Sequence, residues 1–113
     1  AYKGIEVSSG NSFVHETESQ VILNGSYNIN FTMDLVLKDT GLFDDLAKKL
    51  NAPLEISPKI VEIFKDGQKK YGSRAWSSMI VKRMEDLNQI DFRADGFPEE
   101  LTDNEPEEKG YEI

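Results

Sequence analysis

The sequence predicts an all-α fold, a compact bundle of four or five antiparallel helices joined by short connections, and three observations carry that expectation. Four segments place apolar residues at helical spacing, each bounded by residues that start or stop helices. No stretch alternates apolar and polar residues for long enough to make a strand, and no internal repeat occurs. The 113 residues suit one domain, and their 38% hydrophobic content can build a modest core.

The elements follow in order. Residues 1–9 read as the closing turns of a helix, with Gly10 available as a stop. "NSFVHETESQVILNG" begins with Asn11 or Ser12 as a cap, repeats Phe13, Val14, Thr17 and Val21 at helical spacing, and stops at Gly25. "SYNIN" is a connector. Thr32 can cap the next helix by accepting from a first-turn amide, with Phe31 and Val36 placed as a hydrophobic staple and Asp34 favoured by the helix dipole. In the fourth segment Ser57 caps, Pro58 takes the first helical position and Gly72 follows the last periodic residue, with Ile60, Ile63, Phe64, Gly67 and Tyr71 in one stripe. A last helix follows Ser73 and gathers Trp76, Met79, Ile80, Met84 and Leu87 on one face. Helical patterning then lapses, which divides the chain into a helical unit of residues 1–90 and an irregular acidic tail of residues 91–113, pinned by Phe92, Phe97 and Tyr111.

The net charge of −8 is concentrated in that tail, where nine acids face only Arg93 and Lys109. Such a distribution repels phosphate backbones, so neither nucleic acid nor an anionic membrane is an expected partner. Nothing approaches the roughly 18 consecutive apolar residues of a membrane span. "AYKGIEVSSG" has neither the basic opening nor the apolar run of a secretory signal, and the expectation is a cytoplasmic protein in which the sequons at Asn24 and Asn30 are chance matches. The absence of cysteine excludes disulfides, thiolate metal sites and a cysteine nucleophile. Glycine-rich phosphate loops, nucleophile elbows and zinc spacings are also missing, so no metal site is expected. His15 stands alone and reads as structural, Trp76 reads as core, and the Lys48–Lys49 and Lys69–Lys70 pairs read as solvated faces.

One feature resists a purely structural account. In "FTMDLVLKDTGLFDDLAKKL", a turn of about 100° per residue gathers Leu35, Leu42, Leu46 and Leu50 on one side. Asp39 falls in the middle of that side and Lys38 on its border. An isolated carboxylate in an apolar setting costs several kcal/mol unless it is paired. Asp39 therefore either caps a neighbouring helix or pairs with a base such as Arg74 or Arg83, or else its face opens onto a cleft. In a cleft, Asp39 would hold Lys38 charged and oriented toward an anionic or hydroxyl-bearing ligand.

The segment "FTMDLVLKDTGLFDDLAKKLNAPLEI" resembles the C-terminal domain of β-hydroxyacid dehydrogenases of the 3-hydroxyisobutyrate dehydrogenase type, whose domain is like that of 6-phosphogluconate dehydrogenase. Phe31, Leu35, Lys38, Asp39, Leu42, Ala47, Pro53 and Leu54 carry the likeness. "EVSSGNSFVHETESQVILNGSYNINF" and "YGSRAWSSMIVKRMED" resemble the family's neighbouring segments, so the likeness covers roughly residues 4–88. It implies that Lys38 reaches an NAD or NADP cofactor, that Phe31 forms an apolar wall of the cofactor site, and that Asp39 supports Lys38. It also implies a small β-hydroxyacid substrate, a homo-oligomer such as a dimer, and a dinucleotide held mainly by a Rossmann domain. Neither that domain's glycine-rich loop nor the family's general acid/base lysine in its K-x-x-x-N context is in these residues, so no catalytic residue is expected in this chain. The alternative is a stand-alone helical interaction module without chemistry.

Overall fold

A computed structural model describes residues 1–101 and 110. Among the described residues the order is α1 (Tyr2–Glu6), α2 (Phe13–Asn24), α3 (Met33–Lys49), α4 (Ser57–Tyr71), a 3₁₀ turn (Ser77–Val81) and α5 (Lys82–Asn88). No strand occurs among them; the nearest approach is a single antiparallel bridge between Thr32 and Trp76. The fold is all-α. No helix of the described residues is long and apolar enough to cross a membrane.

The α2 ends match their sequence signals. Ser12 accepts from the His15 amide at 3.0 Å, and Gly25 closes the helix at φ 96°, a left-handed conformation that costs glycine little. His15 joins α1 to α2: its ring stacks on Tyr2 with centroids 4.8 Å apart, and Nε2 lies 3.1 Å from the Tyr2 carbonyl oxygen. α4 has Pro58 in its first turn and ends at Gly72, but Ser57 is its first residue rather than its cap, and the Ser57 hydroxyl donates to Asp44 Oδ1 at 2.5 Å instead of accepting from a helix amide.

The start of α3 differs from expectation. The Thr32 hydroxyl does not accept from a helix amide; it donates to Asp34 Oδ1. The free amides are satisfied by the chain that follows α4. Met33 N–H donates to the Ala75 carbonyl at 2.9 Å and Asp34 N–H to the Ser73 carbonyl at 3.1 Å. Backbone has replaced the side-chain cap, because residues 73–77 cross the end of the helix.

The core is small and lies opposite the leucine stripe. Val21 and Met33 are fully buried, and Tyr27, Ala47 and Gly67 join them. A Cβ on Gly67 would stand 2.6 Å from Ile80 Cδ1, so this helical glycine admits the 3₁₀ turn against α3 and α4. Leu42, Leu46 and Leu50 are 63%, 54% and 68% exposed, so the stripe that periodicity assigns inward faces out. α3 instead packs against α4 through the side that carries Met33 and Ala47, where small and flexible side chains permit close approach. Phe13 and Val14 on α2 are likewise exposed.

The C-terminal helix is also rotated from its expected face. It opens as the 3₁₀ turn, and it buries Glu85 while leaving Met84 and Leu87 exposed. Residues 91–101 are irregular, as expected, but they run back across α2 and the α2–α3 connection. Ala94 N–H donates to the Leu23 carbonyl at 3.0 Å, and the Phe97 ring meets Tyr2 edge-on at 5.1 Å. The expected contact at Tyr111 lies outside the described residues.

Candidate functional site

Phe31 owes its position to backbone. Its carbonyl accepts from Ser77 N–H at 2.7 Å, and the next residue but one, Met33, donates to Ala75, so the two bonds flank the Thr32–Trp76 bridge. The ring is 37% exposed and lines a cleft of about 510 Å³ together with Ile22, Val36, Phe64 and Ile80. Phe31 and Val36 thus share one apolar lining, the arrangement a hydrophobic staple needs. The polar rim of the cleft comes from α2. Ser19 Oγ and His15 Nδ1 lie 3.1 Å apart there, and burial raises the Glu18 carboxyl above its usual range.

Seven residues beyond Phe31, on α3, Lys38 Nζ stands 3.0 Å from Asp39 Oδ1, with both side chains more than half exposed. Asp39 is therefore not a buried carboxylate, and its exposure removes the desolvation cost that its place in the stripe would impose. The bases considered as its partners are engaged elsewhere: Arg74 with Asp34 at 3.2 Å and Arg83 with Asp66 at 2.6 Å. Hydrogen bonding from Thr32, opposed by partial burial and aided by Arg74, holds the Asp34 carboxyl below its usual range. Lys38 and Asp39 come together; Phe31 stays at the helix start, and Lys38 is not among the residues lining its cleft.

Sequence reasoning missed the most heavily engaged ionic group. Glu85 is 2% exposed, and its Oε1 accepts from Arg93 Nη1 at 2.7 Å and from Phe92 N–H at 2.9 Å. Its Oε2 accepts from the Tyr27 hydroxyl, which also accepts from Arg93 Nη2 at 2.9 Å. The guanidinium sits over the Tyr27 ring, 5.2 Å from the centroid. Burial alone would raise the Glu85 carboxyl; the Tyr27, Phe92 and Arg93 donors outweigh it and hold the group below its usual 4.5. Burial, reinforced by Glu85, pushes the Tyr27 phenol up to about 12. The available signal was Arg93 itself, one of only two bases in the acidic run of residues 91–113.

Comparison with known proteins adds a family. The model described as the NAD-binding domain of NADP-dependent 3-hydroxyisobutyrate dehydrogenase matches residues 1–84. The chain is 29% identical over 81 residues to the L-threonate dehydrogenase of Escherichia coli (strain K12), which is 72% of this chain and 27% of that protein. It is 31% identical over 84 residues to the 2-(hydroxymethyl)glutarate dehydrogenase of Eubacterium barkeri, covering 74% of this chain and 28% of that protein. The L-threonate dehydrogenase of Haemophilus influenzae is 29% identical over 81 residues. This chain spans little more than a quarter of the length of these curated relatives. No solved structure matches.

Proposed function

Because this chain belongs to the family of NAD-binding domains of NADP-dependent 3-hydroxyisobutyrate dehydrogenases, we propose that it acts as the helical C-terminal domain of a β-hydroxyacid dehydrogenase. Its part is to close the cleft over a nicotinamide dinucleotide held mainly by a Rossmann domain elsewhere in the enzyme. The observation that carries this reading is the outward stripe of α3, where the Lys38–Asp39 pair stands among exposed leucines rather than in the core. An ammonium beside an apolar surface, with the exposed ring of Phe31 at the head of the same helix, suits a ligand that combines negative charge with flat rings. These residues fit a dinucleotide; its hydride-carrying ring, when bound, supplies the redox chemistry.

Within that reading each residue has one task. Lys38 donates a charge-assisted hydrogen bond to the cofactor, Asp39 holds the ammonium 3.0 Å away so that it points outward, and Phe31 excludes water from one side. The proton exchanged with the hydroxyl of a small β-hydroxyacid belongs to a lysine of another segment. Leu42, Phe43, Leu46, Leu50 and Ile56, all more than half exposed, form the surface that the rest of the enzyme or a second copy covers.

The test is made in an intact enzyme carrying this domain. Lys38→Ala is expected to weaken NAD(H) or NADP(H) binding by about 1.5–3 kcal/mol, the range for a hydrogen bond to a charged group. Cofactor affinity equal to wild type removes Lys38 from the site. The isolated chain is expected to turn over no β-hydroxyacid with either nucleotide, and measurable turnover by pure material overturns the assignment. Light scattering tests the open surface: self-association is expected, and a clean monomer at high concentration counts against it.

A further inference from the structure

Residues 90–101 cross the molecule as a strap, and their attachments converge on one place. Besides Phe92 N–H on Glu85 and Ala94 N–H on Leu23, Arg93 Nη1 donates to the Ile22 carbonyl at 3.3 Å. From the other side, Asn24 donates to the Phe97 carbonyl at 3.0 Å and Ser26 to the Glu99 carbonyl at 2.6 Å. Asn28 Nδ2 reaches Glu100 Oε1 at 3.2 Å. All of these partners lie in Ile22–Asn28 or at Glu85, and none of the strap's hydrogen bonds among the described residues reaches α3 or α4. The family match ends at residue 84, one residue before the strap's anchor.

The segment held in this way is strained. Tyr27 and Asn30 have φ of 54° and 56°, left-handed values that are a genuine outlier for a bulky residue such as tyrosine. Tyr27 is kept there from three directions. Its hydroxyl lies between Glu85 and Arg93, its ring lies under the guanidinium, and its carbonyl accepts from the buried Ser78 Oγ at 2.7 Å. Tyr27 then sets the course of Asn28–Phe31. Beside that course, Trp76 lines a cavity of about 360 Å³ with Asn28, Ile29, Asn30, Glu100 and Leu101, the last two from the strap.

We infer that residues 90–101 are a latch, pinned by Arg93 on Glu85 and Tyr27, that fixes the α2–α3 connection in its left-handed path and can open as a unit while the helices remain folded. Most of the strap's other hydrogen bonds are exposed, where water competes with them, whereas the pin is built on a carboxylate that is 2% exposed. Holding power concentrated at one buried point gives local opening a single determinant.

The experiment uses the full chain. Trp76 is its single tryptophan, so acrylamide quenching reports directly on the cavity beside the connection. Arg93→Ala is expected to raise quenching and to speed amide exchange at least tenfold in residues 22–31, with α3–α4 exchange unchanged. Asn24→Ala removes the exposed side-chain bond to the Phe97 carbonyl without touching Arg93 and is expected to leave Trp76 as in the wild type. Equal exposure of Trp76 in both variants, or no response to Arg93→Ala, overturns the assignment of the pin. Should Arg93→Ala unfold altogether, native-state exchange of the wild type in mild urea decides: Phe92 and Ala94 amides are expected to open well before α3 and α4. Exchange of all four at one common rate overturns the latch.

Discussion

Two acid–base pairs in this chain have similar geometry and opposite surroundings. Glu85 and Arg93 meet at 2.7 Å with the carboxylate removed from water, whereas Lys38 and Asp39 meet at 3.0 Å with both side chains more than half exposed. In the first pair both carboxylate oxygens have donors, three in all, so the pair organises chain segments that are far apart in sequence. In the second, solvent screens the attraction, and the pair is free to present an ammonium outward. Distance alone does not separate a structural ion pair from a candidate ligand contact. Desolvation does.

The largest effect that separates them is on stability. Glu85→Ala leaves Arg93 and the Tyr27 hydroxyl without their buried acceptor, and about 3–5 kcal/mol of unfolding free energy is expected to go, as read by urea denaturation. A loss below about 1 kcal/mol would make the two pairs equivalent and erase the comparison. Next comes the effect on binding: Lys38→Ala in the intact enzyme is expected to weaken the cofactor roughly 10- to 150-fold while its melting temperature stays near wild type. A variant that simply unfolds would place Lys38 with Glu85.

Titration sharpens the contrast without removing an atom. Glu85 has its carboxyl held below 4.5, so its contribution is complete above that pH and is lost as the pH falls through the lowered value. Denaturation curves of wild type and Glu85→Gln are expected to converge in acid, and a constant offset between them would deny Glu85 this role. At the other end, Tyr27 contributes fully below 10.0 and loses that contribution as the pH rises toward about 12. The smallest effect is expected from Asp39→Ala, within about 1 kcal/mol in stability, because the pair it breaks is exposed. A larger loss in thermal melts would return Asp39 to the interior that helical periodicity assigned to it.

The sequence made some parts of this molecule legible for local reasons. Ser12 and Gly25 delimit α2, and Pro58 and Gly72 delimit α4, because caps act through residues one to four positions away. The likeness around Lys38 and Asp39 was legible too, since it rests on a contiguous run of residues. Thr32 misled because a free helix amide takes whichever acceptor arrives, and residues 73–75 supplied backbone carbonyls from 40 positions downstream. Leu42, Leu46 and Leu50 misled because periodicity shows that a helix has an apolar side without showing what that side meets.

By itself, then, the sequence determined the helical class, most helix ends and the family, all of which depend on short-range backbone chemistry or on contiguous motifs. Only the tertiary structure decided which face of α3 is covered, where Gly67 lets the 3₁₀ turn approach, and that Glu85 rather than Met84 or Leu87 lies inside. The physical reason is that burial is a property of neighbours. A carboxylate can be interior only where Tyr27, Phe92 and Arg93 arrive together to replace its water, and those residues lie up to 58 positions away along the chain.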